Sequence, residues 1–422
     1  MSRLETSNRV KFEQKDRTDI SFVEFVALMA SMMSLAALST DAMLPALPKI
    51  GADLGVQNPN ANQLIISLLF FGIAFGQLIF GPLSDSVGRK PAIYAGYGIF
   101  ITGCLVSMFA GVFGVMLAGR LLQGLGAAGP RGVLTALIRD KYAGRLMARV
   151  MSIIMTVFIL VPVIAPTFGQ AVLLISGWRA IFAAFLLLAV VTLTWFALRQ
   201  PETLAESARM PLSMKRIGRA FRTVLSNRIA LGYTVAAGLI NGAFLGYLSS
   251  SQQILQVQYG LGTKFTLVFA VLALSLGSAS LMNSRLVMRY GMRFLATNAG
   301  ILVSALGVVY LTIAFIAGGH PPLWALILYL MASFFCIGIL FGNLNALAME
   351  PLGAIAGVGA AVVGSLQTFI AAPLGIIIGQ SYNGTVIPLV FGFAVLGIGT
   401  VLAMRWAEGG GARQNVPAES PS

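Results

Sequence analysis

The chain has 422 residues, 57% of them hydrophobic and only 10% charged, with a mean hydropathy of +0.87. That composition excludes an ordinary soluble domain. The net charge of +14 falls in short segments between long apolar runs, which excludes a nucleic-acid-binding face and fits loops kept on one side of a membrane.

The first twenty-one residues are polar, with Arg3, Arg9, Lys11, Lys15 and Arg17, and read as a cytoplasmic tail ahead of an uncleaved first span. Six apolar segments follow near 22–46, 62–83, 91–113, 115–138, 148–172 and 177–198. A polar linker occupies 199–228, and six further segments lie near 229–252, 264–283, 294–317, 323–347, 357–380 and 384–406. About 20 apolar residues at 1.5 Å each cross a hydrocarbon core of roughly 30 Å, so twelve transmembrane helices are expected. The Gly-, Ser- and Pro-rich tail at 407–422 is expected to be disordered. Basic residues of the tails, the linker and the even-numbered loops lie on one side, against only Lys49, Arg179 and Lys264 on the other. Both termini are therefore expected in the cytoplasm of a multi-pass protein.

Charges within spans are the informative residues, because each costs about 2.5–3.5 kcal/mol at the bilayer centre. Glu24 falls at the inner boundary of the first span, where water can reach it. Asp41 lies toward the outer end of that span, in STDAMLPALP, and is the only acid placed firmly within a span. It is either a titratable carrier of negative charge or a solvated cap of the Leu-Pro kink. Burial and a cationic neighbour act on such an acid in opposite senses. Spans two and three enclose a short charged turn, GPLSDSVGRK, from Gly81 to Lys90. Gly81 and Gly88 permit close approach and a tight reversal, and Asp85 can meet a helix start or a basic group.

The fourth span carries Arg120 and Gln123 in AGRLLQGLGAAGP, with small residues that let neighbouring helices approach. Arg120 faces either a central cavity or backbone carbonyls. Arg131 follows eleven residues on, about 1,100° of helix rotation, and so lies within roughly 20° of the same face. It either tunes substrate charge or snorkels locally. The fifth span carries Pro162, Pro166 and Gly169, as a motif or as a Pro-kinked helix. The second half has no embedded charge and offers polar points such as Asn241, Gln252, Gln253, Asn343, Asn345 and Gln367. Leu286, Gly291 and Arg293 weakly repeat the spacing of Leu83, Gly88 and Lys90, which suggests duplicated halves.

Several classes are excluded. The sequence contains no GxxxxGK[ST] loop for nucleotide-driven transport. Cys104 and Cys336 lie in apolar runs and His320 beside Pro321, so no disulfide framework or metal site is indicated and no cofactor is expected. No paired-acid, His/Asp or Ser/Lys site lies at midplane, so the chain is not read as an enzyme.

The turn (Gly81, Leu83, Asp85, Gly88, Arg89, Lys90) resembles the cytoplasmic loop signature of the major facilitator superfamily. With STDAMLPALP, RLLQG and NLNALAMEP, the chain resembles that superfamily's twelve-span drug:proton antiporters of the bicyclomycin/chloramphenicol efflux type. The fifth-span pattern resembles the antiporter signature but has Ala165 and Gln170 where glycines are usual. The resemblance implies an all-α integral membrane protein, with two pseudo-symmetric six-helix halves around a central cavity. It implies a monomer of the bacterial inner membrane that exchanges protons for phenicol- or bicyclomycin-like small molecules. Asp41 and Arg120 would couple protons, and Arg131, Gln123, Asn241 and Gln367 would line the cavity. Gly81, Asp85, Gly88, Arg89 and Lys90 would form the cytoplasmic gate. A dedicated porter for a single metabolite, by export or uptake, is the alternative.

Overall fold

The computed structural model describes residues 20–409. The expected tails, 1–21 and 407–422, lie outside the described residues except at their inner edges. There Ser21 caps the first helix by accepting from the Glu24 amide at 3.2 Å, and Ala407 and Glu408 complete the last one.

Twelve long helices dominate the described residues. The first six are α1 (Phe22–Asp41), α2 (Leu64–Val87), α3 (Arg89–Met108), α4 (Phe113–Lys141), α5 (Gly144–Ser176) and α6 (Trp178–Arg199). The second six are α7 (Arg228–Ser251), α8 (Phe265–Tyr290), α9 (Met292–Ile316), α10 (Leu323–Met349), α11 (Ala356–Gln380) and α12 (Ile387–Glu408). Eleven helices are long and apolar enough to cross a membrane. The other, α4, has the length, and its composition is diluted by Arg120, Arg131 and glycines buried against neighbouring helices.

The first span differs from expectation. After α1 the chain runs through a 3-10 turn, Leu44–Ala46, into a short helix, Leu47–Asp53. The apolar rod thus continues to Asp53, and Asp41 lies within it rather than near its end. The far end of the rod is fixed to the start of α6, where the Trp178 indole donates to Asp53 at 2.8 Å.

Each half is built alike. In the first, α4 packs between α2 and α3, α1 lies along α5, and α3 along α6. In the second, α10 lies against α8 and α9, α7 along α11, and α9 along α12. Close approach makes the α2–α4 contact: a Cβ on Gly124 would collide with the Leu69 carbonyl, and one on Gly72 with the Leu121 carbonyl. The halves meet where α2 touches α11 and α5 touches α8.

The linker is not simply polar. Residues Met214–Ser226 form a helix, with Ala220 and Val224 buried against α7 and α11. Ile217, Ala220, Phe221 and Val224 carry the i, i+3, i+4, i+7 spacing of an apolar face, which the surrounding arginines obscure in the sequence.

Candidate functional site

Asp41 closes α1 at the seam between the halves. It is 5% exposed and makes no hydrogen bond or ion pair among the described residues. Its neighbours around a void of about 20 Å³ are Pro162 of α5 and a C-half wall of Phe244, Tyr247, Phe269 and Phe334. These rings pack edge to face or stacked, with Tyr247 and Phe334 centroids 4.7 Å apart. The Tyr247 hydroxyl is also buried without a partner. This wall was not legible in the sequence, where its aromatics are dispersed over three apolar helices.

Arg120 and Gln123 stand elsewhere. Arg120 is wholly buried inside the first half and does not face the seam. Its guanidinium donates to the Ser39 carbonyl at 2.9 Å, to the Ile65 carbonyl at 2.9 Å and to the Gln123 side-chain oxygen. Gln123, also fully buried, donates in turn to the Cys104 sulfur at 3.0 Å. Three acceptors from α1, α2 and α4 converge on one cation, which is why the guanidinium turns inward and makes no ion pair with Asp41. Gln123 is likewise part of this packing and not of a cavity lining.

Arg131 is half-buried, one residue after Pro130 within α4, and has no hydrogen bond or ion pair among the described residues. Its surroundings differ from those of Arg120 despite the eleven-residue spacing. Asn241 on α7 is half-buried. Gln367 on α11 is half-buried, with its amide nitrogen enclosed and unpartnered.

Of the fifth-span residues, Pro162 borders the Asp41 void and Pro166 lies inside α5. Gly169 is where α5 meets α1: a Cβ there would collide with the backbone carbonyl of Ala42, the residue after Asp41.

The charged turn forms a network on the face where α2 ends, here called the basic face. Gly88 breaks α2 from α3 with φ 111°, a conformation that L side chains rarely adopt. Arg89 then starts α3 and binds Asp85 at 2.6 Å and Asp140, at the end of α4, at 2.8 Å. Asp85 therefore pairs four residues along its own turn rather than across the protein. Lys90 donates to the Ala197 carbonyl at 2.9 Å. Gly81 lies at the seam, where a Cβ would sit 3.1 Å from Ala361 of α11. Sequence reading missed Glu202, whose carboxylate accepts from the amides of Arg89, Lys90, Thr203 and Leu204 at 2.9–3.0 Å.

The second half repeats this arrangement with different residues. Gly291 (φ 80°) precedes α9, and Arg293 pairs with Glu350 after α10 at 2.7 Å and with Glu408 at the end of α12 at 3.5 Å. Asp140 and Glu350 thus hold similar posts at the ends of α4 and α10, as do Glu202 and Glu408 at the ends of α6 and α12.

On the opposite face the halves are latched by neutral polar groups. Asn60, ahead of α2, donates to the carbonyls of Gln380 and Tyr382 at 3.0 and 2.8 Å, and Gln380 donates back to Asn60 at 2.7 Å. Gln253 donates to Asn60 at 2.9 Å and accepts from Gln63. Of these residues only Gln253 was singled out by sequence; Asn60 falls in a loop and Gln380 at the last position of its span.

Twelve helices in two similar halves, with an acid between them, define an α-helical membrane transporter of the secondary type. The model of the Major Facilitator Superfamily matches residues 29–376, and the chain belongs to that family. The chain is 28% identical over 366 residues to the uncharacterized MFS-type transporter YdgK of Bacillus subtilis, covering 85% of this chain and 90% of that protein. It is 28% identical to a bicyclomycin resistance protein homolog of Haemophilus influenzae, covering 86% and 90% of the two chains. It is also 28% identical to a chloramphenicol resistance protein of Pseudomonas aeruginosa, covering 91% and 92%. The human organic anion transporter MFSD10 (TETRAN) has the same fold, with a TM-score of 0.69 at 18% identity over 90% of this chain and 98% of that one.

Proposed function

We propose that the chain is a proton-coupled antiporter of the bacterial inner membrane, exporting amphipathic small molecules of the phenicol or bicyclomycin kind by alternating access. The names of the Haemophilus and Pseudomonas relatives support the substrate class. The observation that carries the mechanism is Asp41, a carboxyl enclosed at the seam with no hydrogen-bond or ion-pair partner among the described residues. Burying a carboxyl away from water makes its protonation depend on its surroundings, and those surroundings change when α1 and α5 part from α7, α8 and α10. Asp41 then takes a proton in one arrangement and releases it in the other. Arg120 contributes by fixing the backbone before Asp41, not by pairing with the acid.

The two ends of the seam act as gates. The neutral latch around Asn60 closes one face, and the contact of Gly81 with α11 marks the other. The basic face, with both termini, is assigned to the cytoplasm from the charge bias, and the protein works as a monomer. Arg131, a cation with no hydrogen-bond or ion-pair partner among the described residues, disfavours strongly cationic substrates.

The test is transport by purified protein in proteoliposomes with an imposed pH gradient. Asp41→Asn is expected to bind substrate but to lose gradient-driven accumulation. Normal accumulation by that variant refutes the coupling role. Cysteines placed at Ser213 and at Gly319 are expected to label from opposite sides, and labelling from one side refutes the orientation.

A further inference from the structure

The linker helix Met214–Ser226 carries three separate stripes. Ile217, Ala220 and Val224 face the bundle. About 100° round the helix, Met214 and Leu225 stand together, 76% and 50% exposed. About 100° further on, Lys215, Arg219 and Arg222 form an exposed basic stripe. The extended segment leading into the helix adds two more bare apolar side chains, Met210 and Leu212, each 49% exposed. No acidic residue occurs from Arg209 to Arg228.

A second observation points to an anion. Arg216, half-buried at the edge of the helix, has its Nε and one terminal nitrogen enclosed with no acceptor. The other terminal nitrogen meets only the Met210 sulfur, at 2.9 Å. The helix is also held at a fixed height. It packs on α7 and α11 where these emerge, and the Met210 amide donates to the Asp85 carbonyl at 2.9 Å.

We infer that this helix is an interfacial element that binds the headgroups of anionic phospholipid in the leaflet at the basic face. Met214 and Leu225 enter the acyl boundary, while Lys215, Arg219 and Arg222 meet the phosphates. A helix with an apolar edge beside a cationic one, lying at the level where spans leave the bilayer, is the arrangement that a charged membrane surface recognises. A soluble acidic partner would answer the basic stripe and leave the apolar edge in water. The basic residues are expected to contribute about fivefold each to the preference for anionic lipid.

The experiment uses the full chain, labelled with a polarity-sensitive fluorophore at Met214→Cys. Cys104 and Cys336 are buried and leave this thiol as the accessible one. The protein is reconstituted in phosphatidylcholine with and without phosphatidylglycerol, and lipid retained through detergent purification is counted by mass. Phosphatidylglycerol is expected to blue-shift the label and to be retained over phosphatidylcholine. In Lys215→Gln/Arg219→Gln/Arg222→Gln both effects fall about tenfold or more. In Lys215→Arg/Arg219→Lys/Arg222→Lys both persist. These exposed positions leave the bundle intact, which an unchanged melting temperature checks.

Three results overturn the proposal. One is an unchanged label and no lipid preference in the wild type. Another is full retention of both effects in the glutamine triple variant. The third is the same shift produced in phosphatidylcholine by inorganic phosphate or by a soluble acidic peptide, which identifies a free-anion or protein site instead.

Discussion

The Arg120 guanidinium donates to the Ser39 carbonyl at 2.9 Å, two residues before Asp41, and leaves the carboxyl itself untouched. The arginine thus fixes where the acid stands through the backbone of α1. Removing it strands the carbonyls of Ser39 and Ile65 and the side chain of Gln123, all buried. Arg120→Ala is therefore expected to destabilise the first half by about 1–3 kcal/mol for each stranded acceptor, read as loss of folded protein in detergent. Arg120→Lys keeps the charge but reaches fewer acceptors, so it lowers the melting temperature and leaves the pH dependence of transport unchanged. A shifted pH profile without loss of stability would instead indicate a direct electrostatic partnership with Asp41.

Asp85, Arg89 and Asp140 act as one unit. The Arg89 side chain is only 4% exposed while both carboxylates are 18% exposed, so the group is mostly out of water. Arg89→Ala breaks both pairs and is expected to cost about 3–5 kcal/mol because two carboxylates are left uncompensated, whereas loss of one acid leaves Arg89 paired with the other. Asp85→Asn and Asp140→Asn are each expected to slow transport while leaving expression and substrate binding largely intact. In the background of Arg89→Ala, either change should add little. Additive losses in this double-mutant cycle would show that the two acids act independently.

Glu202 gives a pH dependence. Burial alone would raise its carboxyl, but the amides of Leu204, Lys90, Arg89 and Thr203 outweigh that and hold it below the usual glutamate range. A lowered folded-state value means that the stabilisation is full above the unfolded value, about 4.3, and is lost as pH falls through the folded value. Melting temperature in detergent should therefore drop less steeply below about pH 4.3 in Glu202→Gln than in the wild type. At neutral pH, Glu202→Ala is expected to cost about 1 kcal/mol, the worth of a helix cap, by freeing the start of α3.

Gly169 sets the distance between α5 and the end of α1. A methyl group there meets the Ala42 carbonyl, which is backbone and cannot swing away. Gly169→Ala is expected to cost about 1–3 kcal/mol and to displace Asp41 from its aromatic wall. Gly98, which has open space around its Cβ position, serves as the control, and Gly98→Ala should leave transport and stability unchanged. Equal behaviour of the two variants would show that the α1–α5 approach does not matter.

The sequence by itself determined the helices and their number, because a run such as Ala61–Phe80 has no charge and can satisfy its backbone in lipid only as a helix. It also determined the break at Gly88 and the internal duplication, since turns and repeats are local patterns. It did not determine which way embedded side chains turn. Arg120 and Arg131 share a helix face by spacing, yet one is consumed by carbonyls from α1 and α2 and the other has no hydrogen-bond or ion-pair partner among the described residues. That outcome depends on acceptors some 55 and 81 residues away in the chain. The depth of Asp41, the aromatic wall from three C-half helices, and the reach of Glu202 back to α3 are likewise products of packing. Periodicity fixes what each helix offers, and only the neighbours brought against it by the fold decide what that offer meets.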